Sequence, residues 1–453
     1  MWWFDRRDCR TRCGGPAREH DMMRTYNRPA PIADILLEYL EEAAFLYGVR
    51  RRWLSHSRQS WEDLWQTDRR LQRYLHGLAL GGRATADLLK EKLTLDEEGD
   101  AGEAFTATAV IPHLNLVEPM QWVTNAIAGN PPHLPAMIDG LAYANTPLLD
   151  PWIEDYLTHP TPSVRAAAAH VIGLSKPSNK RQGLQTLLAD PADPTVLLAA
   201  LSHADEAARL VHHSQLKIML KADDPALSRL AAHCLISIGD QDIVGWMRER
   251  LLQGGAPAVR EWSLLLAVTG TMKDSELFAG FIRQWPDEPM PLLALGLIGN
   301  ASTVDLLIEA LSRAGSIKGF QAANDALQTI TGMDQWPDFD WEEAEPETIA
   351  AYTDKWKTWW GGKRREMSPQ VKWRRGLPIA PPVLAQDVLR PGNPHRHASY
   401  QELRGRYRCP VELSFHEGES AQLAQLAALS DWGKTTASQF RPGESYWWGR
   451  PQT

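Results

Sequence analysis

Four groups of side chains in this 453-residue chain could do chemistry. Cys9 and Cys13 stand four apart and could grip a metal through thiolates, and His395, His397 and His416 near Cys409 could be drawn as a second ligand set. A structural zinc usually takes four ligands, and no second close cysteine pair completes the first set. The second lies in a stretch with proline, glycine and scattered histidines, the composition of a surface turn. No metal and no other cofactor is expected. The other two groups are basic. Lys363, Arg364, Arg365, Lys372, Arg374 and Arg375 are interleaved with Trp359, Trp360 and Trp373. That mixture offers the phosphate contacts and stacking faces that single-stranded nucleic acid uses. Farther back, Arg165, Arg229 and Arg260 recur as if to form a ladder along one surface.

Each basic group has a structural reading beside the functional one. A recurring arginine in a helical repeat commonly ties its helix to a neighbouring carboxylate or carbonyl. The acidic run WPDFDWEEAEPE, just ahead of the basic one, could be a loop that shields it or simply a solvated face. The chain carries a net charge of −8, so no global positive field draws in nucleic acid or anionic lipid, and neither is expected as a partner. Arg165, Arg229, Arg260, Trp359, Trp360 and Trp373 are therefore candidates for contact with another protein. No G-x-S-x-G, Walker-type glycine loop, H-E-x-x-H or C-x-x-C appears, and His212 and His213 are adjacent on a helical pattern, where their side chains diverge. The sequence gives no catalytic residue set, and an enzyme is not expected.

The elements that must position these residues are announced by a proline clock. Pro131, Pro162, Pro194, Pro225, Pro257 and Pro289 follow one another at 31, 32, 31, 32 and 32 residues. Four of the six follow Asn130, Thr161, Asp193 or Asp224, whose side-chain oxygens suit a helix N-cap, while Ala256 and Glu288 depart from that rule. Proline at the next position has its backbone angle preset for the first turn. Apolar residues then recur at helical spacing, as in Val164, Ala168, Val171 and Ile172, and glycines at 173, 239, 270 and 299 suit a left-handed residue that ends a helix. A second amphipathic stretch follows in most intervals, for example Ile243, Met247 and Leu251, or Val304, Leu307, Ile308 and Leu311.

Each period thus reads as a helical hairpin. About thirty residues cost roughly 30–60 kcal/mol of backbone entropy, and five or six buried side chains return only about 8–18 kcal/mol. Such a unit is stable only against its neighbours, so the expected fold is all-α, an α-solenoid of about six or seven hairpins. Residues 1–30 read as a disordered leader or a mis-annotated start, 31–100 as a helical N-terminal cap, and 101–335 as the array, with LTLDEEGDAGEAF as a loop before it. Residues 336–453 read as a Trp-rich acidic and basic segment with short helices packing on the far end of the array. In that segment Pro369 and Pro442 are each followed by an aromatic at +4, glycine at +7 and proline at +9, so two turns share one design. No run reaches the 18 apolar residues of a membrane span, and the start lacks the apolar core of a secretory signal. A cytoplasmic protein is expected.

The array resembles HEAT-like repeats of the short type found in phycobiliprotein lyases. EYLEEAAFL at 38–46, LWQTDRRLQRYLHGL at 64–78, ALQTITGMD at 326–334 and QELRGRY at 401–407 resemble segments of a bacterial HEAT-repeat family associated with type VI secretion gene neighbourhoods. That resemblance, over residues 33 to 430, implies a non-catalytic scaffold or adaptor that binds a secretion component or effector. The alternatives are an immunity protein against a neighbouring toxin, or, from the repeat type alone, a chromophore-lyase-like enzyme.

Overall fold

The computed structural model describes residues 33–452 apart from 56–59, 94–98, 176–179, 189–192, 204–206, 208, 336, 338, 341–342, 392, 394 and 416–417. The leader with Cys9 and Cys13, and His416, lie outside the described residues. Within them the fold is all-α, with two short hairpins of strand.

Helices α1 (Ala33–Ser55), α2 (Trp61–Leu80) and α3 (Arg83–Lys90) form the N-terminal part. Ser60 starts α2 with a capping box, its Oγ accepting from Asp63 N while Asp63 accepts from Ser60 N. The hairpins begin with α4 (Ala101–Val110), so the AGEAF expected in a loop is instead the first turns of a helix, capped by Asp100. Then follow α5 (Val117–Ala128), α6 (Leu134–Ala144), α7 (Asp150–Leu157), α8 (Pro162–Ser175), α9 (Lys180–Leu188), α10 (Pro194–Leu201) and α11 (His213–Leu220). The series continues through α12 (Pro225–Ser237), α13 (Asp242–Gln253), α14 (Gly255–Thr269), α15 (Ser275–Gln284), α16 (Pro289–Ile298), α17 (Val304–Ser312) and α18 (Ile317–Thr331). The opening helices rest on one another, α1 on α4, then α6, α8, α10 and α12 in turn, and α14 on α16 on α18. Second helices pack on the opener that follows them, α7 on α8, α11 on α12, α13 on α14, α15 on α16 and α17 on α18.

Four clock prolines stand at the first residue of a helix, and Asp193 and Asp224 cap theirs by accepting two backbone amides each. Two depart from the pattern. Pro131 precedes α6 by three residues because Asn130 adopts a left-handed conformation rather than capping, and Pro257 lies inside the first turn of α14. The glycines divide too. Gly239 and Gly299 take positive φ as expected, but Gly173 is inside α8 and Gly270 leaves α14 in an extended conformation.

The C-terminal part contains α19 (Pro346–Lys363), a hairpin of β1 (Trp373–Arg374) and β2 (Leu377–Pro378), α20 (Pro381–Leu389), α21 (Arg396–Tyr407), α22 (Glu419–Thr436), and a hairpin of β3 (Tyr446–Trp447) and β4 (Arg450–Pro451). The echo around Pro369 and Pro442 is a repeated device. Both hairpins turn on two residues of positive φ, Arg375–Gly376 and Trp448–Gly449, as a tight two-residue turn requires. Arg375 and Gly376 donate their amides to Thr329 O and Ile330 O at the end of α18; Trp448 and Gly449 donate theirs to Gly405 O and Arg406 O at the end of α21. In each case the accepting helix stops at a left-handed residue, Gly332 or Arg408, and an 18-residue helix, α19 or α22, intervenes before the hairpin returns. Each hairpin thereby satisfies carbonyls that a helix end leaves open.

The short C-terminal helices do not simply extend the far end. They share a core with α2, where Trp61 Nε1 donates to Val388 O and Trp65 Nε1 to Gln422 Oε1, and Arg69 pairs with Glu419 at 3.0 Å. α21 meanwhile lies against both α12 and α14. The last part of the chain therefore bridges the first helices to the later units.

Candidate functional site

One register position of the opening helices changes character along the series. Eight residues after the six clock prolines stand Asp139, His170, Ser202, His233, Leu265 and Leu297. The first four are polar and half-buried or exposed; the last two are buried, at 7% and 0% exposure. Tyr47 OH donates to Asp139 Oδ2 at 2.8 Å, His170 Nδ1 lies 3.4 Å from Ser202 Oγ, and the His203 ring packs edge-on against His170 at 5.7 Å, so along this strip side chains link α1 to α6 and α8 to α10. Burial, opposed by Asp139, lowers the pKa of His170; burial and then Arg229 push His233 down to about 4. Both rings are neutral near pH 7 and can donate on one nitrogen and accept on the other.

What closes the same stripe over the later units is the chain itself. Arg406 of α21 donates to Gly270 O and Ala267 O at the end of α14, each at 2.9 Å, and Arg374 of β1 donates to Leu297 O at 3.1 Å. These guanidiniums belong to a buried ionic knot. Arg374 pairs with Glu402 and with Asp387, Arg406 reaches Glu402 at 3.0 Å, and Arg375 holds Asp387 at 3.0 Å. Ser399 donates to Asp387 at 2.6 Å. Lys372 is fully buried with its Nζ 3.6 Å from Glu402 and no hydrogen bond. Burial, then Arg406, drives the Lys372 amine well below its ordinary pKa despite Glu402. Burial pulls Asp387 up, but Arg374 and Arg375 outweigh it and hold its carboxyl at about 2. Four basic residues thus share two carboxylates, and burial together with the neighbouring guanidiniums is what depresses the Lys372 amine.

This geometry corrects the reading of the basic, Trp-rich run. Lys372 and Arg374 are fully buried and Arg375 nearly so, while Arg364 pairs with Asp305 and Lys363 with Glu366, so the run presents no continuous cationic surface. The buried basic side chains pair with Asp387 and Glu402. Trp360 is buried, donating to Asp305, and Trp373 is buried, donating to Ser368 O; Trp359 is half-buried against Trp356. The indoles of Trp360 and Trp373 fill the core beside α17 and α18, and Trp359 keeps part of its ring exposed.

Arg165 donates to His159 O and Pro160 O and lies 3.8 Å from Asp193, while Arg260 pairs with Glu288 at 2.6 Å. In both, an arginine three residues after one clock proline reaches the acid that precedes the next. Arg229 is different: it follows Pro225 by four residues, which turns it about 100° around the helix, and it is exposed with no ion pair to a described residue. Its expected position is taken by Ser228, buried and donating to Leu220 O.

Among the described residues no group of three His, Cys, Asp or Glu side chains is placed to hold a metal. His397 stacks on Phe415 at 3.6 Å, and burial pushes the Cys409 thiol up to about 11. No described helix is long and apolar enough to cross a membrane.

No known family model matches this chain, and no curated protein is similar to it. The strip at position eight is the part that inspection of single motifs misses, because a lone His or Ser on a helix carries no signal. Aligned on the prolines, the change from Asp, His, Ser and His to Leu and Leu is visible in the sequence.

Proposed function

We propose that this protein is a non-catalytic binding scaffold or adaptor, an α-solenoid of HEAT-like hairpins that presents a continuous surface to another protein. The observation that carries this reading is the division of one helical stripe. Its later part is apolar and closed by the chain's own α21 and β1, and its earlier part is polar and only partly buried. A surface kept polar along four successive units, beside units that close the same surface, is suited to reversible contact and not to a permanent core. The resemblance to proteins near type VI secretion genes makes a secretion component or effector in the cytoplasm the partner we favour.

The test is purification of the tagged full-length chain from native lysate. A protein recovered at a fixed ratio, encoded beside this chain, is the expected result. Recovery of the chain alone under low-salt conditions overturns the proposal.

A further inference from the structure

Ser228 marks a gap in the series of units. In the Pro162 unit the residue three past the proline is Arg165, which donates at 2.7 and 3.0 Å to His159 O and Pro160 O. Those carbonyls stand three and two residues before that proline, and the arginine also approaches Asp193, the acid before the next one. The Pro225 unit lacks both members of the pair: Ser228 replaces the arginine and Ala256 the acid. The corresponding carbonyls, Ala222 O and Asp223 O, accept no hydrogen bond from a described residue, and Ser228 gives its hydroxyl to Leu220 O instead.

A cavity of about 190 Å³ opens at this point, lined in part by Lys221, Ala222 and Asp223, by Ser228, and by Trp246, Glu249 and Arg250 of α13. It is smaller than the roughly 300–1,000 Å³ of a drug-sized pocket, so it takes one side chain or a molecule of that size. Among the described residues Asp223 and Glu249 have no ion pair, and Trp246 is half-buried, held edge-to-face by Trp262. Lys221 and Arg250, also without an ion pair, balance those carboxylates, so net charge alone draws in neither sign. The acceptors decide. Two open carbonyls, two carboxylates and an indole suit a planar guanidinium, which donates several N–H groups in a fixed fork and stacks on aromatic rings, better than a compact ammonium.

We propose that the cavity beside Ser228 binds a guanidinium supplied from outside the chain, either an arginine side chain of another polypeptide or free arginine. It takes the place that Arg165 fills from within its own unit, with the loop carbonyls and the carboxylates of Asp223 and Glu249 as acceptors and Trp246 as the stacking surface.

The probe is N-acetyl-arginine amide, a blocked arginine, added to the full-length chain labelled with fluorotryptophan; Trp246→Phe assigns the Trp246 fluorine resonance. The expected result is a saturable shift of that resonance, with a Kd at least about tenfold lower than for blocked lysine. Ser228→Arg, which restores the internal arginine, should abolish the shift. So should the double substitution Asp223→Asn with Glu249→Gln. Asp223 and Glu249 are exposed, so an unchanged melting temperature shows that the double variant folds even where Ser228→Arg does not. Free arginine separates the two sources: binding no tighter than that of blocked arginine assigns the site to a residue within a polypeptide, and tighter binding assigns it to the amino acid itself. No shift at concentrations that leave the chain folded, a shift matched by blocked lysine or blocked glutamate, or a shift that survives in either folded variant overturns the proposal. The measurement needs no partner protein, so it succeeds or fails independently of the scaffold role.

Discussion

Arg374 and Glu402 form an ion pair that no water reaches, both side chains being 0% exposed. Glu402 also serves Arg406 and lies beside Lys372, so one carboxylate faces three buried basic side chains. The two charges of such a pair must answer each other, because desolvation of each costs several kcal/mol.

Two substitutions at this knot therefore act in opposite directions. Glu402→Gln leaves Arg374 and Arg406 without their shared anion and is expected to destabilise by about 3–5 kcal/mol, the usual cost of breaking a buried pair. Lys372→Met keeps the stem and removes an amine with no hydrogen bond, and is expected to be neutral or to stabilise by about 1–4 kcal/mol. Urea unfolding of the three proteins decides it; destabilisation by Lys372→Met of more than 1 kcal/mol refutes this account.

The same groups set the pH dependence. Lys372 has a folded pKa below that of the unfolded chain, so above it the unfolded state binds more protons and stability rises with pH until the ordinary lysine value near 10.4. Asp387, at about 2 in the folded state, contributes stability above its unfolded value near 3.9 and loses it as pH falls through 2, about 2–3 kcal/mol in all. Thermal unfolding from pH 2 to 10 in the wild type and in Lys372→Met is the measurement. The alkaline rise should vanish in the variant and the acid loss should remain.

Glycine positions give a sharper geometric test. Gly299 has φ of +73°, and a Cβ there would lie 2.1 Å from Trp373 O, because β1 donates its Trp373 amide back to Gly299 O. Gly299→Ala must both strain the backbone and push β1 away, and it is expected to cost well over the roughly 1 kcal/mol of an ordinary glycine effect. Gly245, within α13, has no atom within 4 Å of a built Cβ. Gly245→Ala is expected to stabilise by about 0.5–1 kcal/mol. Equal melting temperatures for the two variants refute the docking of the first hairpin.

Most of the helices and the doubled turn were legible because they rest on local rules. Proline at N1, aspartate at the N-cap and the offset from Pro369 to Gly376 act within one turn of chain and leave a residue signature. The destination of the basic run was not legible. Arg374 looks like surface charge until Glu402, 28 residues on, and Leu297, 77 residues back, are brought to it by packing. Arg229 illustrates a subtler limit: its resemblance to Arg165 and Arg260 is real in composition, but one residue of register sends it to solvent while the other two tie units together.

The division of the opener stripe predicts an asymmetry between equivalent positions. Ser202 and Leu297 both stand eight residues after a clock proline, yet Ser202 is exposed and Leu297 lies under the guanidinium of Arg374 at 0% exposure. Ser202→Asp adds a charge that water solvates and should alter stability by no more than about 0.5 kcal/mol. Leu297→Asp puts a carboxylate in a core whose nearby cations are already committed to Asp387 and Glu402, and removes an apolar side chain as well. Such a site loses about 2–5 kcal/mol from the missing side chain alone, so the later units should unfold early or fail to fold. Urea unfolding followed by tryptophan fluorescence separates the cases. If both substitutions are tolerated, the C-terminal part does not close this face, and the contrast between polar and covered units loses its basis.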